Sequence, residues 1–389
     1  MDQKRICILT TMSSSIDNWI KPFLNEYKKI NVKVTIICNM SEEYANDLEE
    51  NYENVDAFAI DFPRGNSLLG SVKSILKLIK LFKKNGYDMV QYSTPNASVY
   101  GSIASWICKV PVRLYCQWGM IYVTQTGIKR FVYKLLEKNT CKLSTNIQPD
   151  SFGNLNYCRE HGLYDVNKSE IIWNGSAKGI DCTMYDISKK MRYSTEIRDK
   201  YNIPADAIVI GFVGRLGKEK GCNELFEAFK IIEKQYNDVY LLFVGPIEKE
   251  NTIAPNLLAY FKNNAKIIKT NRVSNVEKYI SAMDIFVLPS YREGFGMSVV
   301  EAEVMEVPVI VTEYPGPIGG MIPNETGLTI PIKNINKLVE TISYLINNPK
   351  IRLEMGSKAR VYAVKAFDRK IFIKKYMENR KKLLGILDE

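Results

Sequence analysis

The stretch Ile208-Val-Ile-Gly-Phe-Val-Gly-Arg-Leu-Gly-Lys-Glu-Lys-Gly221 passes from a short apolar run into a glycine-rich basic turn, and a helical pattern from Cys222 to Ile232 follows it. A β-branched run bounded by glycine and followed by a 3.6-residue period predicts a buried strand, a turn and a helix, the repeating unit of a parallel α/β sheet. A turn opening a helix suits an anion, because the first N–H groups are unpaired and the helix dipole favours negative charge there. Arg215 and Lys220 add two cations to this turn. The segment is neither a Walker loop nor a G-x-G-x-x-G fingerprint. On this segment alone, a polar turn with solvated charges competes with the anion site.

Working outward, the same alternation recurs. Strands are expected at Ile6–Leu9, Val34–Cys38, Met89–Gln91, Arg113–Cys116 and Ile171–Trp173, then at Ile208–Val213, Tyr240–Val244, Lys266–Ile268, Ile285–Leu288, Val309–Val311 and Gly327–Ile330. The fold class is therefore α/β, with two doubly wound Rossmann-like parallel-sheet domains facing across a cleft, and ligands are expected at the carboxyl ends of the strands. The turn-rich segment 174–181 and the polar segment 186–193 put the boundary between domains 1–186 and 187–389. The last helical pattern, 359–384, is expected to return to the first domain.

A second turn has the layout of the first: Ile285–Leu288, then Pro289-Ser-Tyr-Arg-Glu-Gly-Phe-Gly296, then a helix from about Met297. Gly294 and Gly296 let backbone approach a ligand closely. Glu293 beside a basic site needs a polar partner. Glu301 has a purely structural alternative, because Ser298-Val-Val-Glu301 matches a capping box.

Composition narrows the chemistry. The 389 residues exceed what one core usually supports, and the net charge is +10. The eight cysteines form no C-x-x-C pair, so free thiols in a reducing cytoplasm are expected. With one histidine, His161, and no Asp-x-Asp, histidine metal sites, Ser-His-Asp triads and paired-aspartate metal sites are disfavoured. No stretch reads as a signal peptide or a membrane span. Between Phe62 and Thr145 there are 13 Lys or Arg against two acids. Two amphipathic helices lie there. One carries Leu68, Leu69, Val72, Ile75, Leu76, Ile79 and Phe82, with Lys73, Lys77, Lys80 and Lys84 on the other face; the second carries Phe131, Val132, Leu135 and Leu136 among lysines. Both apolar stripes are expected to face the core, and the lysines to meet an anionic membrane surface or phosphates.

Together, Gly214–Gly221, Pro289–Gly296, the Glu-x7-Glu of Glu293 and Glu301, and Val307-Pro-Val-Ile-Val311 resemble the retaining nucleotide-sugar glycosyltransferases of family 4, with the GT-B fold. Asn174-Gly-Ser-Ala-Lys-Gly-Ile-Asp181 is similar to a stretch of bacterial members that build surface polysaccharides, and Asn324-Glu-Thr-Gly-Leu328 to another family turn. The resemblance covers the C-terminal half well and the N-terminal half loosely. It implies that Arg215 and Lys220 bind the donor diphosphate beside Gly214 and the Gly294-Phe295-Gly296 backbone, that Glu293 faces the sugar, and that Glu301 holds the ribose. Without a metal or other cofactor, the leaving diphosphate must be met by fixed cations and N–H dipoles.

Two departures stand out. Cys116-Gln-Trp-Gly119 puts Trp118 where many relatives carry histidine, and Thr10-Thr-Met-Ser-Ser-Ser15 replaces a Gly-Gly loop. Ser13, Ser14 and Trp118 are the acceptor-side candidates. The resemblance implies a cytoplasmic, metal-independent transferase. It moves a hexose or N-acetylhexosamine from a UDP-sugar to a polyprenyl-diphosphate-linked saccharide of a capsule or O-antigen, at the inner face of the membrane. A nucleotide-sugar epimerase and a soluble-acceptor glycosyltransferase share the fold. A nucleic-acid binder explains the basic patch but not Glu-x7-Glu, so no nucleic-acid partner is expected.

Overall fold

The computed structural model describes residues 3–63, 68–248 and 250–386, with nothing to be said of the Leu68 side chain. It divides into two compact units, Met1–Lys178 with Lys370–Glu389, and Gly179–Arg369. The composition-based cut at 186/187 thus falls inside the second unit. Two backbone bonds tie the start of that unit to its end: Ile180 N–H donates to Phe367 O at 2.7 Å, and Arg369 N–H to Ile180 O at 2.9 Å.

The first unit has six parallel strands: β1 (Lys4–Met12), β2 (Val32–Asn39), β3 (Val55–Ala59), β4 (Met89–Tyr92), β5 (Val112–Gln117) and β6 (Asn146–Pro149). Their order is β3-β2-β1-β4-β5-β6. Successive β1 residues alternate between two cores, Cys7 and Leu9 on one face, Ile6 and Ile8 on the other. That is the two-sided burial a parallel sheet requires. The chain's final helix, Arg369–Leu384, lies on the second face, where Tyr376 stacks on Phe23 at 4.0 Å and Arg380 lies 3.9 Å over Tyr376.

The second unit repeats the plan with β7 (Ile208–Val213), β8 (Val239–Val244), β9 (Ile267–Lys269), β10 (Ile285–Leu288), β11 (Val309–Thr312) and β12 (Gly327–Ile330), in the order β12-β11-β10-β7-β8-β9. In both units the order reverses beside the first strand, at β1/β4 and at β7/β10, so each has a topological switch point.

Three expectations require correction. Ile171–Trp173 is not a strand: Trp173 has φ 51° and Ile172 O closes a turn to Gly175. The strands β3 and β6 were not expected, because Val-Asp-Ala-Phe-Ala and Asn-Ile-Gln-Pro lack a clear apolar run. The final helical pattern is two helices, Pro349–Phe367 and Arg369–Leu384, broken at Asp368 with ψ 127°. Among the described residues no helix is long and apolar enough to cross a membrane.

Candidate active site

The switch point of the second unit decides what meets there. Ile285 and Phe286 of β10 pair with Ile210 and Gly211 of β7, so the turns leaving these strands emerge side by side. Gly221, at φ 70°, ends the first turn and opens the helix Cys222–Gln235. A Cβ there would stand 1.9 Å from Pro289 O. Only glycine combines this left-handed backbone with so close an approach. Two further bonds join the turns: Tyr291 N–H donates to Glu219 O at 2.9 Å, and the Ser290 hydroxyl to the same oxygen at 3.1 Å.

This stitching brings the charged groups together. Lys220 Nζ donates to Glu293 Oε1 at 2.5 Å across the two turns, with side chains 21% and 12% exposed. Arg215 Nη2 meets Glu219 Oε1 at 3.3 Å. Glu293 therefore has the polar partner its position demands, a cation from the other turn. Cys222 sits at the same helix start but is a core residue: burial, the largest effect, pushes its thiol up to about 12.

The second turn ends at Gly296, whose φ of 82° makes it the N-cap of helix Met297–Val304 without any side-chain cap. Ser298 is thus already inside the helix, and the capping-box alternative for Glu301 is overturned. Glu301 instead engages the Tyr185 hydroxyl; burial first, and then this carboxylate, drive the Tyr185 pKa upward. The Phe295 side chain is buried, with its ring 5.2 Å from Phe367, so this residue offers a ligand its backbone. Gly214, Gly294 and Gly296 lie on the two turns, with Gly214 N–H held by Val244 O at 2.9 Å. Gly316 packs on the Glu293 carbonyl, where a Cβ would come within 2.3 Å.

The structure adds a residue that sequence patterning missed. Glu303 is fully buried, accepts from the Thr326 hydroxyl at 2.6 Å, and its Oε2 has no partner among the described residues. Burial raises its pKa well above the ordinary carboxylate range. Thr326 in turn accepts from Ile322 N–H at 2.9 Å, so this acid braces the Asn324–Leu328 turn. The signal was present in the sequence, as a second glutamate two positions beyond Glu301, on the opposite side of the helix.

The acceptor-side candidates belong to the first unit and do not converge. Ser13 and Ser14 open the helix Ser13–Trp19 at the end of β1, and Ser13 lines a cavity of about 690 Å³ with Thr11, Asn39, Ser41 and Asp61. Trp118 lines a different, narrow cavity of about 30 Å³ with Asp150, Ser176 and Arg380, and its ring sits 5.8 Å from Trp19. His161 caps the helix Phe152–Glu160 and bonds to Tyr157 O at 2.8 Å, which is a structural role. Among the described residues no group of three His, Cys, Asp or Glu side chains is placed to hold a metal.

Known protein families match both parts of the chain. The family "Glycosyl transferases group 1" matches residues 194–362, and "Glycosyl transferase 4-like" matches residues 5–151. The capsular polysaccharide biosynthesis glycosyltransferase CapM of Staphylococcus aureus is 32% identical over 361 residues, 92% of each chain. The chain belongs to the group 1 glycosyltransferases, of the family 4 surface-polysaccharide type. An Escherichia coli relative, UDP-Gal:alpha-D-GlcNAc-diphosphoundecaprenol alpha-1,3-galactosyltransferase, is 25% identical over 86% of this glycosyltransferase and 85% of its own length. The sucrose-phosphate synthase of Thermosynechococcus elongatus shares the fold at TM-score 0.79 and 17% identity, over 99% and 100% of the two chains. The two six-stranded parallel sheets are those of the GT-B glycosyltransferases, and the enzyme is a nucleotide-sugar glycosyltransferase.

Proposed function

We infer that this glycosyltransferase moves a hexose or N-acetylhexosamine from a UDP-sugar to a polyprenyl-diphosphate-linked saccharide in capsule or O-antigen synthesis. It retains anomeric configuration, needs no metal or other cofactor, and works in the cytoplasm at the membrane face. The Lys220–Glu293 pair across the switch point carries the donor part of this reading. A departing diphosphate develops negative charge, and Arg215, Lys220 and the Gly294–Gly296 backbone, beside Gly214, are the fixed cations and dipoles for it. Glu293, bonded to Lys220, is the carboxylate for the sugar, and Glu301 the one for the ribose. Ser13, Ser14 and Trp118 are proposed for the acceptor. The lipid-diphosphate acceptor of the E. coli relative supports the acceptor class.

A thermal-shift panel of nucleotide sugars, with and without chelator, tests the reading. A ligand at a hundred times its Kd adds about 2.7 kcal/mol, a shift of several degrees for units of this size. Shifts with a UDP-sugar that survive chelator are expected. No shift with any donor, or one that chelator removes, refutes it. An epimerase would form product from donor alone, which the same incubation reveals.

A further inference from the structure

The helix Gly127–Leu143 is built inside out. Ile128, Phe131, Val132, Leu135 and Leu136 keep the i, i+3, i+4, i+7, i+8 spacing of an apolar stripe. All five are exposed, Ile128 at 83% and Phe131 at 69%. The inward side carries Thr140, Cys141 and Glu137, whose Oε1 accepts from Tyr115 at 2.9 Å and from Gln117 at 2.5 Å. The stripe that sequence patterning assigned to the core therefore faces away from it.

The helix Leu68–Asn85 has the same character in part. Its buried side is Ser74, Leu78 and Phe82, while Leu69, Val72 and Leu76 are exposed, Leu69 at 88%. The expected stripe mixed two faces. Both helices pack on Pro95–Ile107, so three neighbouring helices on one face of the sheet share this outer surface. Trp106 and Ile107, at the end of the middle helix, are exposed as well.

Charge selects the occupant. The three helices carry a single carboxylate, Glu137, and it points inward. Lys129, Lys138 and Lys142 flank the stripe on Gly127–Leu143, and Lys73, Lys80 and Lys83 flank that on Leu68–Asn85. A second copy docked face to face would set these lysines against their like. An anionic bilayer offers both an apolar layer for the stripe and headgroup phosphates for the lysines.

We propose that the outer face of the helices Leu68–Asn85 and Gly127–Leu143 inserts in the interface of an anionic bilayer, with Ile128, Phe131 and Leu135 entering the acyl boundary and the flanking lysines on the headgroups. This names the surface for the membrane-face reading above and rests on that reading only for its biological purpose. Neither helix is long and apolar enough to cross, so the contact lies in the plane of the interface.

The full chain is co-sedimented with vesicles of phosphatidylcholine alone or with phosphatidylglycerol. Binding is expected with phosphatidylglycerol, and weakening near 1 M salt, where the screening length is about 3 Å. The double variant Phe131→Glu with Leu135→Glu should lose it. Exchanging Lys129, Lys138 and Lys142 for Gln should weaken it roughly a hundredfold, about fivefold per lysine at about 1 kcal/mol each. Both sites are exposed, so the fold should hold; were the double variant to misfold, the lysine set decides alone. Wild-type partitioning of either variant overturns the proposal. So does a concentration-dependent dimer, seen by sedimentation velocity without vesicles, that the double variant dissolves. The UDP-sugar thermal shift should survive in both variants. Its absence from the wild type would sink the donor reading while leaving the vesicle result intact.

Discussion

Replacing Glu293 by glutamine removes one negative charge and keeps shape and an acceptor oxygen. Its partner Lys220 lies at 2.5 Å, and both side chains are less than a quarter exposed. At an effective dielectric near 20, the gross attraction at that distance is about 7 kcal/mol, most of it offset by the desolvation of two ions. Removing one member of a buried pair costs about 3–5 kcal/mol, and the retained hydrogen bond brings the expected loss down to about 1–3 kcal/mol. In a unit of this size that is a fall in Tm of roughly 2–4 °C per kcal/mol. The diphosphate supplies the charge that Glu293 gave up, so UDP should restore Lys220's partner and stabilise the variant more than the wild type. Transfer should fall about a hundredfold or more, the ~3 kcal/mol that a lost electrostatic group costs. The assay is a pair: Tm with and without UDP, and sugar transfer at saturating donor. A variant whose UDP shift is smaller than wild type and whose transfer rate is normal would refute both assignments.

Arg215→Ala and Lys220→Ala should each lower kcat/KM by about a hundredfold, while Tm without ligand moves little for the half-exposed Arg215; a Tm loss without a kinetic loss would make that arginine merely structural. Gly221→Ala forces a Cβ to 1.9 Å from Pro289 O at φ 70°, so denaturant melts should show a loss of about 2–4 kcal/mol. Glu303→Gln tests the buried acid through pH. Because the folded-state pKa is raised, folding is unhindered below the unfolded value. Stability is then lost as pH climbs toward the folded value, at about 1.4 kcal/mol per pH unit. The glutamine variant lacks this slope. It should match wild type near pH 4–5 and exceed it increasingly above, and parallel melts across pH 5–8 with a constant gap would count against a neutral Glu303.

The fold was legible because each strand of a parallel sheet buries both faces and so reads as an unbroken apolar run. Ile208–Val213 and Ile285–Leu288 were placed at their structural bounds. The edge strands of the first sheet escaped for the same reason in reverse: β3 and β6 sit at the ends of their sheet, where Asp56 and Gln148 are tolerated within short pairings. At the site, the turns could be read but their meeting could not. That Lys220 touches Glu293 follows from β7 and β10 being neighbours, a fact of strand order that no local pattern contains. Glu301 illustrates the limit from the other side. A capping-box match is four residues of local grammar, and the left-handed Gly296 one residue earlier than the helix start displaced it.

The stripe on Gly127–Leu143 carries the sharper physical point. A 3.6-residue apolar period shows that one side of a helix is shielded from water in some state of the molecule; it does not say what shields it. For Cys222–Gln235 the shield is the sheet, and Leu225, Phe226, Phe229 and Ile232 are buried. For Gly127–Leu143 the sheet side is filled by Thr140, Cys141 and the half-buried Glu137, so among the described residues nothing buries the stripe. Exposing five large apolar side chains in a row costs about 25 cal/mol for every Å² left wet, and contiguous apolar patches rimmed by charge mark contact surfaces rather than accidents of packing. The discriminating information was in the sequence all along, in the position of Glu137. The helix's one carboxylate falls opposite the stripe and bonds to Tyr115 and Gln117 on β5. A pattern with its acid toward the sheet and its lysines around its leucines has already chosen an anionic, apolar partner over its own core.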